Sequence, residues 1–244
     1  MIAFLQRRAI PGVEEVVDGV YRRSVRGSRG GEVVELRPEE PTPLSRAVFD
    51  LDRNMAPITR HLAADPVIGP LVRANPERRV PGTVDPNEIA FRAVLGQQVS
   101  VAGARTLAAR LVQEYGEPLE DPRGSVTHLF PTPAALGEVD PESLPMPRSR
   151  GRSLVRLAHA LAAGDVDMAG DPAEARRALL SLPGIGPWTV EYVAMRALRD
   201  PDAFPTGDLG IRHALEKLGA RVEASERWRP YRAYAVVHLW GVLA

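Results

Sequence analysis

The alternation of apolar and polar positions divides the chain into two regimes. In the first forty residues, β-branched runs bounded by glycine predict strands over Gly12 to Tyr21 and over Gly31 to Leu36. A short helix, Ile2 to Arg8, is expected ahead of them, and Pro38-Glu39-Glu40-Pro41-Thr42-Pro43 reads as a linker or tight loop. Beyond it the period changes to three and four. Leu44, Val48, Leu51, Met55, Ile58 and Leu62 form one apolar stripe and predict a single helix over Leu44 to Leu62. The same reasoning predicts helices over Pro86 to Leu95, Ser100 to Tyr115, Arg150 to Ala163, Pro172 to Leu182, Trp188 to Leu198, Leu209 to Leu218 and Pro230 to Leu243. Punctuation supports several of these: Asp171 can cap with Pro172 at the first helical position, and Gly116, Gly164 and Gly219 can end helices. The expected architecture is mostly α: a small mixed α/β piece over residues 1–42, then an all-helical region over residues 43–244.

Composition narrows the chemistry. With 244 residues the chain can bury a sizeable core. Zero cysteines exclude disulfides, a thiolate nucleophile, cysteine-ligated zinc and a cysteine-held iron–sulfur cluster. No stretch approaches the ~18 to 20 apolar residues of a membrane span, and the basic pair Arg7-Arg8 follows a short apolar run, the reverse of a secretory signal. A cytoplasmic location without membrane association is therefore expected. The net charge is zero, yet residues 146–244 carry 14 basic and 11 acidic side chains against 17 and 20 in residues 1–145, so the second part leans positive. Lys217 is the only lysine. Arginine suits bidentate phosphate contacts, although such a bias also follows from genome composition.

Leu179-Leu180-Ser181-Leu182-Pro183-Gly184-Ile185-Gly186-Pro187-Trp188-Thr189-Val190 is the most informative segment. A helix ends at Leu182, two glycines turn the chain, and Pro187 starts the next helix. Unpaired N–H groups and the helix dipole make such a turn an anion site, and a DNA phosphate is one natural occupant. Gly-x-Gly turns also serve as plain connectors. Twenty residues after Trp188, Asp208 precedes an apolar helix. Position alone favours a helix N-cap there, worth about 1 kcal/mol, which is compatible with a further role for the carboxylate. The five histidines, His61, His128, His159, His213 and His238, lack ligand spacing and read as structural or surface residues.

The string Leu-Pro-Gly-Ile-Gly followed by Trp-Thr resembles the helix–hairpin–helix element of a DNA-repair glycosylase superfamily. The resemblance runs from Phe4 to Trp240 and includes Phe4-Leu5-Gln6-Arg7-Arg8-Ala9-Ile10, Val94-Leu95-Gly96-Gln97-Gln98-Val99-Ser100-Val101, Phe130-Pro131-Thr132-Pro133 and Tyr234-Ala235-Val236-Val237-His238-Leu239-Trp240. Within the superfamily it is similar to the bacterial 3-methyladenine DNA glycosylase II, or AlkA-like, branch. That likeness implies two helical lobes around a cleft, with a reduced N-terminal α/β subdomain of two strands. It implies Asp208 as the catalytic carboxylate and Phe4, Trp188, Tyr192 and Trp240 as cleft aromatics, each of which core packing would also explain. It implies Gly184, Gly186 and Thr189 at a DNA phosphate, and Gln97 and Gln98 at the DNA, with Gln98 as the wedge that replaces a flipped nucleotide. The same two glutamines would also suit a polar interhelical turn. The carbonyls of Leu180, Leu182 and Ile185 would hold a structural Na+ or K+, with no cofactor needed for the chemistry.

Lyase members use a lysine where Trp188 stands, so the resemblance implies a monofunctional enzyme that uses water. The expected function is hydrolysis of the N-glycosidic bond of alkylated purines, 3-methyladenine and 7-methylguanine, in double-stranded DNA by a monomer. Two alternatives stand beside it: a non-catalytic helix–hairpin–helix DNA-binding module, and a glycosylase for another lesion such as uracil or hypoxanthine.

Overall fold

The computed structural model describes residues 1–28 and 30–243. The chain opens with helix α1 (Ile2–Arg8) and an antiparallel sheet of β1 (Glu14–Val17), β2 (Val20–Gly27) and β3 (Gly30–Leu36) in sequence order. Helices follow: α2 (Pro43–Phe49), α3 (Met55–Ala63), α4 (Gly69–Ala74), α5 (Pro86–Leu95) and α6 (Val101–Tyr115). A hairpin of β4 (Glu117–Arg123) and β5 (Val126–Leu129) interrupts them. Then come α7 (Pro133–Gly137), α8 (Arg148–Ala163), α9 (Pro172–Ser181), α10 (Pro187–Arg196), α11 (Leu209–Lys217), a 3-10 segment (Val222–Trp228) and α12 (Arg232–Gly241). The chain is therefore mostly α with a small N-terminal sheet, as its periodicity predicts.

Three local expectations need correction. The N-terminal sheet has three strands instead of two, because the run from Gly12 to Tyr21 is broken by a turn. Asp18 and Gly19 adopt φ of 51° and 77°, the pair of left-handed conformations that a two-residue hairpin turn requires. Strand β2 then continues through Arg22, Arg23 and Arg26, whose charges conceal it. Leu44 to Leu62 forms two helices: Asp50 ends α2 in a left-handed conformation (φ 54°). Its buried carboxylate accepts from the Tyr234 hydroxyl (2.6 Å) and from Arg199 (3.0 Å), which fixes the break. Finally, the helical region contains the β4–β5 hairpin. Leu119, Val126 and Leu129 from it gather with Val33 of β3, so this hairpin packs against the N-terminal sheet.

Two large cores carry the helices. One joins α5, α6, α8 and α9 through residues such as Phe91, Leu95, Leu111, Leu154, Leu157 and Leu179. Ile10 and Val13, beside the N-terminal sheet, are buried in it too. The other joins α3, α4, α11 and α12 through Ile58, Leu62, Ile211, Leu215, Trp228 and Val236. Helix α10 supplies Val190 and Val193 to the first core and Ala194 and Met195 to the second. On its remaining side Trp188 and Tyr192 stay partly exposed. A smaller cluster of Leu5, Tyr21, Leu36, Val48 and Phe49 seats α1 and α2 against the sheet.

Charge ties the sheet to the helices. Glu14 of β1 lies opposite Arg23 of β2 in the strand register and pairs with it at 3.3 Å. Arg23 reaches Glu88 of α5 at 2.6 Å, and Arg92, one turn further along α5, reaches Glu88 at 2.9 Å and Glu14 at 3.0 Å. Two carboxylates and two guanidiniums therefore balance, with Glu14, Arg23 and Glu88 all but excluded from water. The Tyr21 hydroxyl and the Ile10 N–H also donate to Glu14. Each buried charge has partners, the condition under which burial is tolerable.

Candidate active site

Helix α9 ends at Ser181, and its C-cap Leu182 turns away from the helix in an extended conformation. The Ile185 N–H closes the turn on the Leu182 carbonyl at 3.0 Å. Gly184 has φ of 89°, and a Cβ there would lie 1.9 Å from the Ser153 hydroxyl oxygen of α8. Both facts demand glycine. Ile185 is buried in the first core, which anchors the tip, while Gly184 is exposed and Gly186 half-exposed as the N-cap of α10. Pro187 at the first helical position has no N–H, so the remaining first-turn donors and the dipole define the anion-binding end.

Gln97, from the turn after α5, braces this hairpin. Its amide nitrogen donates to the Gly184 carbonyl and to the Thr189 hydroxyl, both at 3.0 Å. Thr189 is only 3% exposed. Its hydroxyl faces inward and is spent on Gln97, so what Thr189 offers outward is its first-turn N–H. Gln98 next to it is exposed and left-handed, with φ of 56°, and it stands between α5 and the exposed Val99 and Val101. Leu180 is exposed, and Leu182, whose carbonyl already accepts from Ile185, is half-buried.

Asp208 caps α11, accepting the Ile211 N–H on Oδ1 at 3.0 Å. It does more than cap. The Trp240 indole N–H donates to the same oxygen at 3.1 Å, and the Trp188 indole N–H donates to Oδ2 at 3.1 Å. Both oxygens of one carboxylate are thus held by the two tryptophans that the sequence singled out, one from α10 and one from α12. The half-exposed carboxylate is fixed in orientation before any ligand arrives.

The four expected aromatics do come together. Trp188 stacks on Tyr192 with centroids 5.5 Å apart, Tyr192 meets Trp240 at 6.3 Å, and Trp240 stacks on Phe4 at 5.9 Å. They form one continuous aromatic wall beside Asp208. All four are partly exposed, while Tyr192, Trp240 and Phe4 also pack against the cores behind them. Phe4 reaches the wall from α1 although the N-terminal subdomain is small.

Two arginines that residue type and spacing did not mark as site residues complete the wall. The Arg8 guanidinium lies 3.8 Å from the Phe4 ring centroid and 5.7 Å from that of Trp240. Arg196 lies 5.1 Å from Phe4 and 5.8 Å from Tyr192. It donates to the Tyr192 hydroxyl at 3.0 Å and to the Pro81 and Gly82 carbonyls. Burial pushes the Tyr192 hydroxyl up, but Arg196, Arg8 and Arg92 outweigh it and hold the hydroxyl below its ordinary range. A signal was present: Arg8 follows Phe4 by four, and Arg196 follows Tyr192 by four, so each shares a helix face with its aromatic partner.

Comparison with known proteins follows the same residues. Residues 91–228 match the model of the HhH-GPD superfamily base excision DNA repair proteins, and residues 43–85 match that of the AlkA N-terminal domain. Across 98% of its length the chain is 43% identical to the probable bifunctional transcriptional activator/DNA repair enzyme AlkA of Mycobacterium tuberculosis. It spans 53% of that relative, about half its length. It is 36% identical to DNA-3-methyladenine glycosylase 2 of Escherichia coli, covering 98% of this chain and 92% of that one. A 3-methyladenine DNA-glycosylase structure from Archaeoglobus fulgidus superposes with a TM-score of 0.79 at 23% identity, over 97% of this chain and 90% of that one, and so shares its fold. Carrying the hairpin in its matched segment and that degree of identity along nearly its whole length, the chain belongs to the HhH-GPD superfamily of base excision DNA repair proteins, in its AlkA-like branch.

Proposed function

We propose that this chain is a monofunctional DNA glycosylase that hydrolyses the N-glycosidic bond of alkylated purines, such as 3-methyladenine and 7-methylguanine, in double-stranded DNA. The observation that carries the reading is the carboxylate of Asp208, clamped by Trp188 and Trp240 at the foot of a four-ring aromatic wall. An N-glycosidic bond breaks with positive charge growing on the sugar, and a preoriented anion stabilises that charge. The same carboxylate can orient and deprotonate the attacking water. A base is accessible to such a site only after it leaves the helical stack, and the aromatic faces suit an extruded, electron-poor ring.

The hairpin amides at Gly184 and Gly186 would hold a phosphate next to the lesion, and exposed Gln98 would fill the space that the flipped nucleotide vacates. The carbonyls of Leu180, Leu182 and Ile185 would hold Na+ or K+. A carbonyl has two lone pairs, so the Leu182 oxygen retains one for an ion beyond its bond to Ile185. Such an ion would supply fixed positive charge beside the phosphate and takes no part in bond breaking. Lyase chemistry needs an amine at the sugar, and Lys217 sits at the far end of α11 from Asp208, roughly 14 Å along the axis. Every group of the site comes from one chain, so a monomer suffices.

The test is release of free base from methylated duplex DNA by the wild type and by Asp208→Asn. Asparagine preserves the cap but carries no charge. The expected outcome is release by the wild type and its loss, by a factor of at least about 100, in the variant. Salt-sensitive DNA binding without release by the wild type would favour a binding module instead.

A further inference from the structure

Arg196 is a buried guanidinium without an acid. It is 4% exposed, and its acceptors among the described residues are two carbonyls and a hydroxyl: Pro81 at 2.5 Å, Gly82 at 3.3 Å and Tyr192 at 3.0 Å. Arg23 and Arg92, by contrast, share the carboxylates of Glu14 and Glu88. Burying a charge that no opposite charge balances is costly, and an apolar side chain of similar volume is often at least as stable in such a place. The packing of α10 therefore gives no reason for an arginine here.

The contacts of Arg196 supply one, because they close a circuit. The Pro81-Gly82 strap lies on α2: the Gly82 N–H donates to the Val48 carbonyl at 2.9 Å, and a Cβ on Gly82 would lie 2.0 Å from the Ala47 carbonyl oxygen. Val48 of α2 and Leu5 of α1 are buried in one cluster, with Phe4 packed against it. The Phe4 ring returns to Arg196, whose guanidinium lies 5.1 Å from its centroid and 5.8 Å from that of Tyr192. One cation thus meets two rings that come from helices distant in sequence, α1 and α10.

Resting on the glycosylase reading, we infer that Arg196 is a positioning residue that sets Tyr192 and Phe4 in register as one wall, by bonding the Tyr192 hydroxyl and the Pro81-Gly82 strap together. It acts through Tyr192 and touches neither base nor sugar. An extruded base then meets a surface already assembled, and the ordering of these side chains drops out of the cost of capture. The hydroxyl carries a second sign of the contact. Burial pushes its pKa up, but Arg196, ahead of Arg8 and Arg92, holds it below the ordinary value.

The test is single-turnover release of 7-methylguanine from methylated duplex over a range of enzyme concentrations. The proteins are the wild type, Arg196→Met, Arg196→Lys, Tyr192→Phe and the double variant Arg196→Met, Tyr192→Phe. The expected result is a limiting rate about tenfold lower in Arg196→Met, with half-saturation unchanged because the hairpin is intact. Tyr192→Phe keeps the ring but loses the anchor, so its rate should fall likewise. The double variant should match the slower single variant within about twofold, and Arg196→Lys should recover part of the rate. In the free proteins, the earliest tyrosinate absorbance transition should vanish in Tyr192→Phe. In Arg196→Met it should move to higher pH, since the foremost of the three charges that lower it is gone. Should Arg196→Met fail to fold, Arg196→Lys and Tyr192→Phe carry the test. An unchanged limiting rate, a raised half-saturation at unchanged rate, or losses that multiply in the double variant would overturn the inference and leave the proposed function standing. A wild type that binds duplex but releases no base overturns both.

Discussion

The two indole N–H groups on Asp208 are not equivalent, and their difference predicts an order of damage. Oδ1 has two donors, the Ile211 N–H and Trp240, whereas Oδ2 has Trp188 alone. Trp240→Phe leaves Oδ1 bonded to the backbone and keeps an aromatic ring against Phe4. Trp188→Phe keeps a ring against Tyr192 but strips Oδ2 of its donor. A hydrogen bond to a charged group contributes about 1.5–3 kcal/mol, and the lower end applies because the carboxylate is half-exposed. Each 1.36 kcal/mol corresponds to a factor of ten in rate. If the clamp holds Asp208 in its productive orientation, Trp188→Phe should slow base release by roughly 10- to 30-fold, and Trp240→Phe by only about 3- to 10-fold. Single-turnover rates at saturating enzyme separate this from weaker binding of the base against a smaller ring. Equal rates for the two variants and wild type, or a Trp240→Phe enzyme slower than Trp188→Phe, would refute the reasoning.

Other outcomes follow from the same geometry. Gly184→Ala places a Cβ 1.9 Å from the Ser153 hydroxyl at a φ of 89°, so a loss of about 1–3 kcal/mol and weaker DNA binding are expected in thermal melts and salt titrations. Glu14→Gln leaves two buried guanidiniums facing one carboxylate and should cost about 3–5 kcal/mol in urea denaturation. Burial pushes the Glu14 carboxyl up, but Arg92, Arg23, Tyr21 and Ile10 outweigh it and hold its pKa below the ordinary value. Its stabilisation is therefore complete above that ordinary value and is lost as pH falls through the folded one. Wild-type stability should drop on acidification below about pH 4, and the Glu14→Gln curve should be flatter there.

What could be read in the sequence was what is local. Asp171 and Asp208 each cap a helix with side-chain acceptors, and residue type plus position reveals such caps. The hairpin was legible because a turn this tight admits few residues. Features that depend on distant partners were hidden. Strand β2 carries three arginines because Arg23 is neutralised by Glu14 and Glu88, nine and 65 residues away. The β4–β5 hairpin is polar except where Leu119, Val126 and Leu129 meet β3. The Leu44 to Leu62 stripe looked continuous because its two halves face different cores, Val48 toward Phe49 and Tyr21, Ile58 and Leu62 toward Trp228. Periodicity records that a side is apolar and not which core it joins. The aromatic wall was found only through family likeness, since a ring on a helix face fits a core equally well. Arg8 and Arg196 stayed hidden because an arginine on a helix surface ordinarily faces water, and only the fold sets these two beside the rings.

Helix α10 acts as a ruler. In ten residues it begins at the glycine turn, carries Trp188 and Tyr192 on its half-exposed side, ends at Arg196, and buries its other sides in both cores. The separation between the glycine turn and the aromatic wall is therefore a fixed count of residues, about 9 Å from Gly186 to Tyr192. One residue added after Thr189 would advance the stack by about 1.5 Å and rotate it by roughly 100°, sending Tyr192 and Arg196 toward the cores. Substitutions on the half-exposed side can change the chemistry of the wall, but the length of this helix cannot vary without shifting Trp188 and Tyr192 relative to the glycine turn.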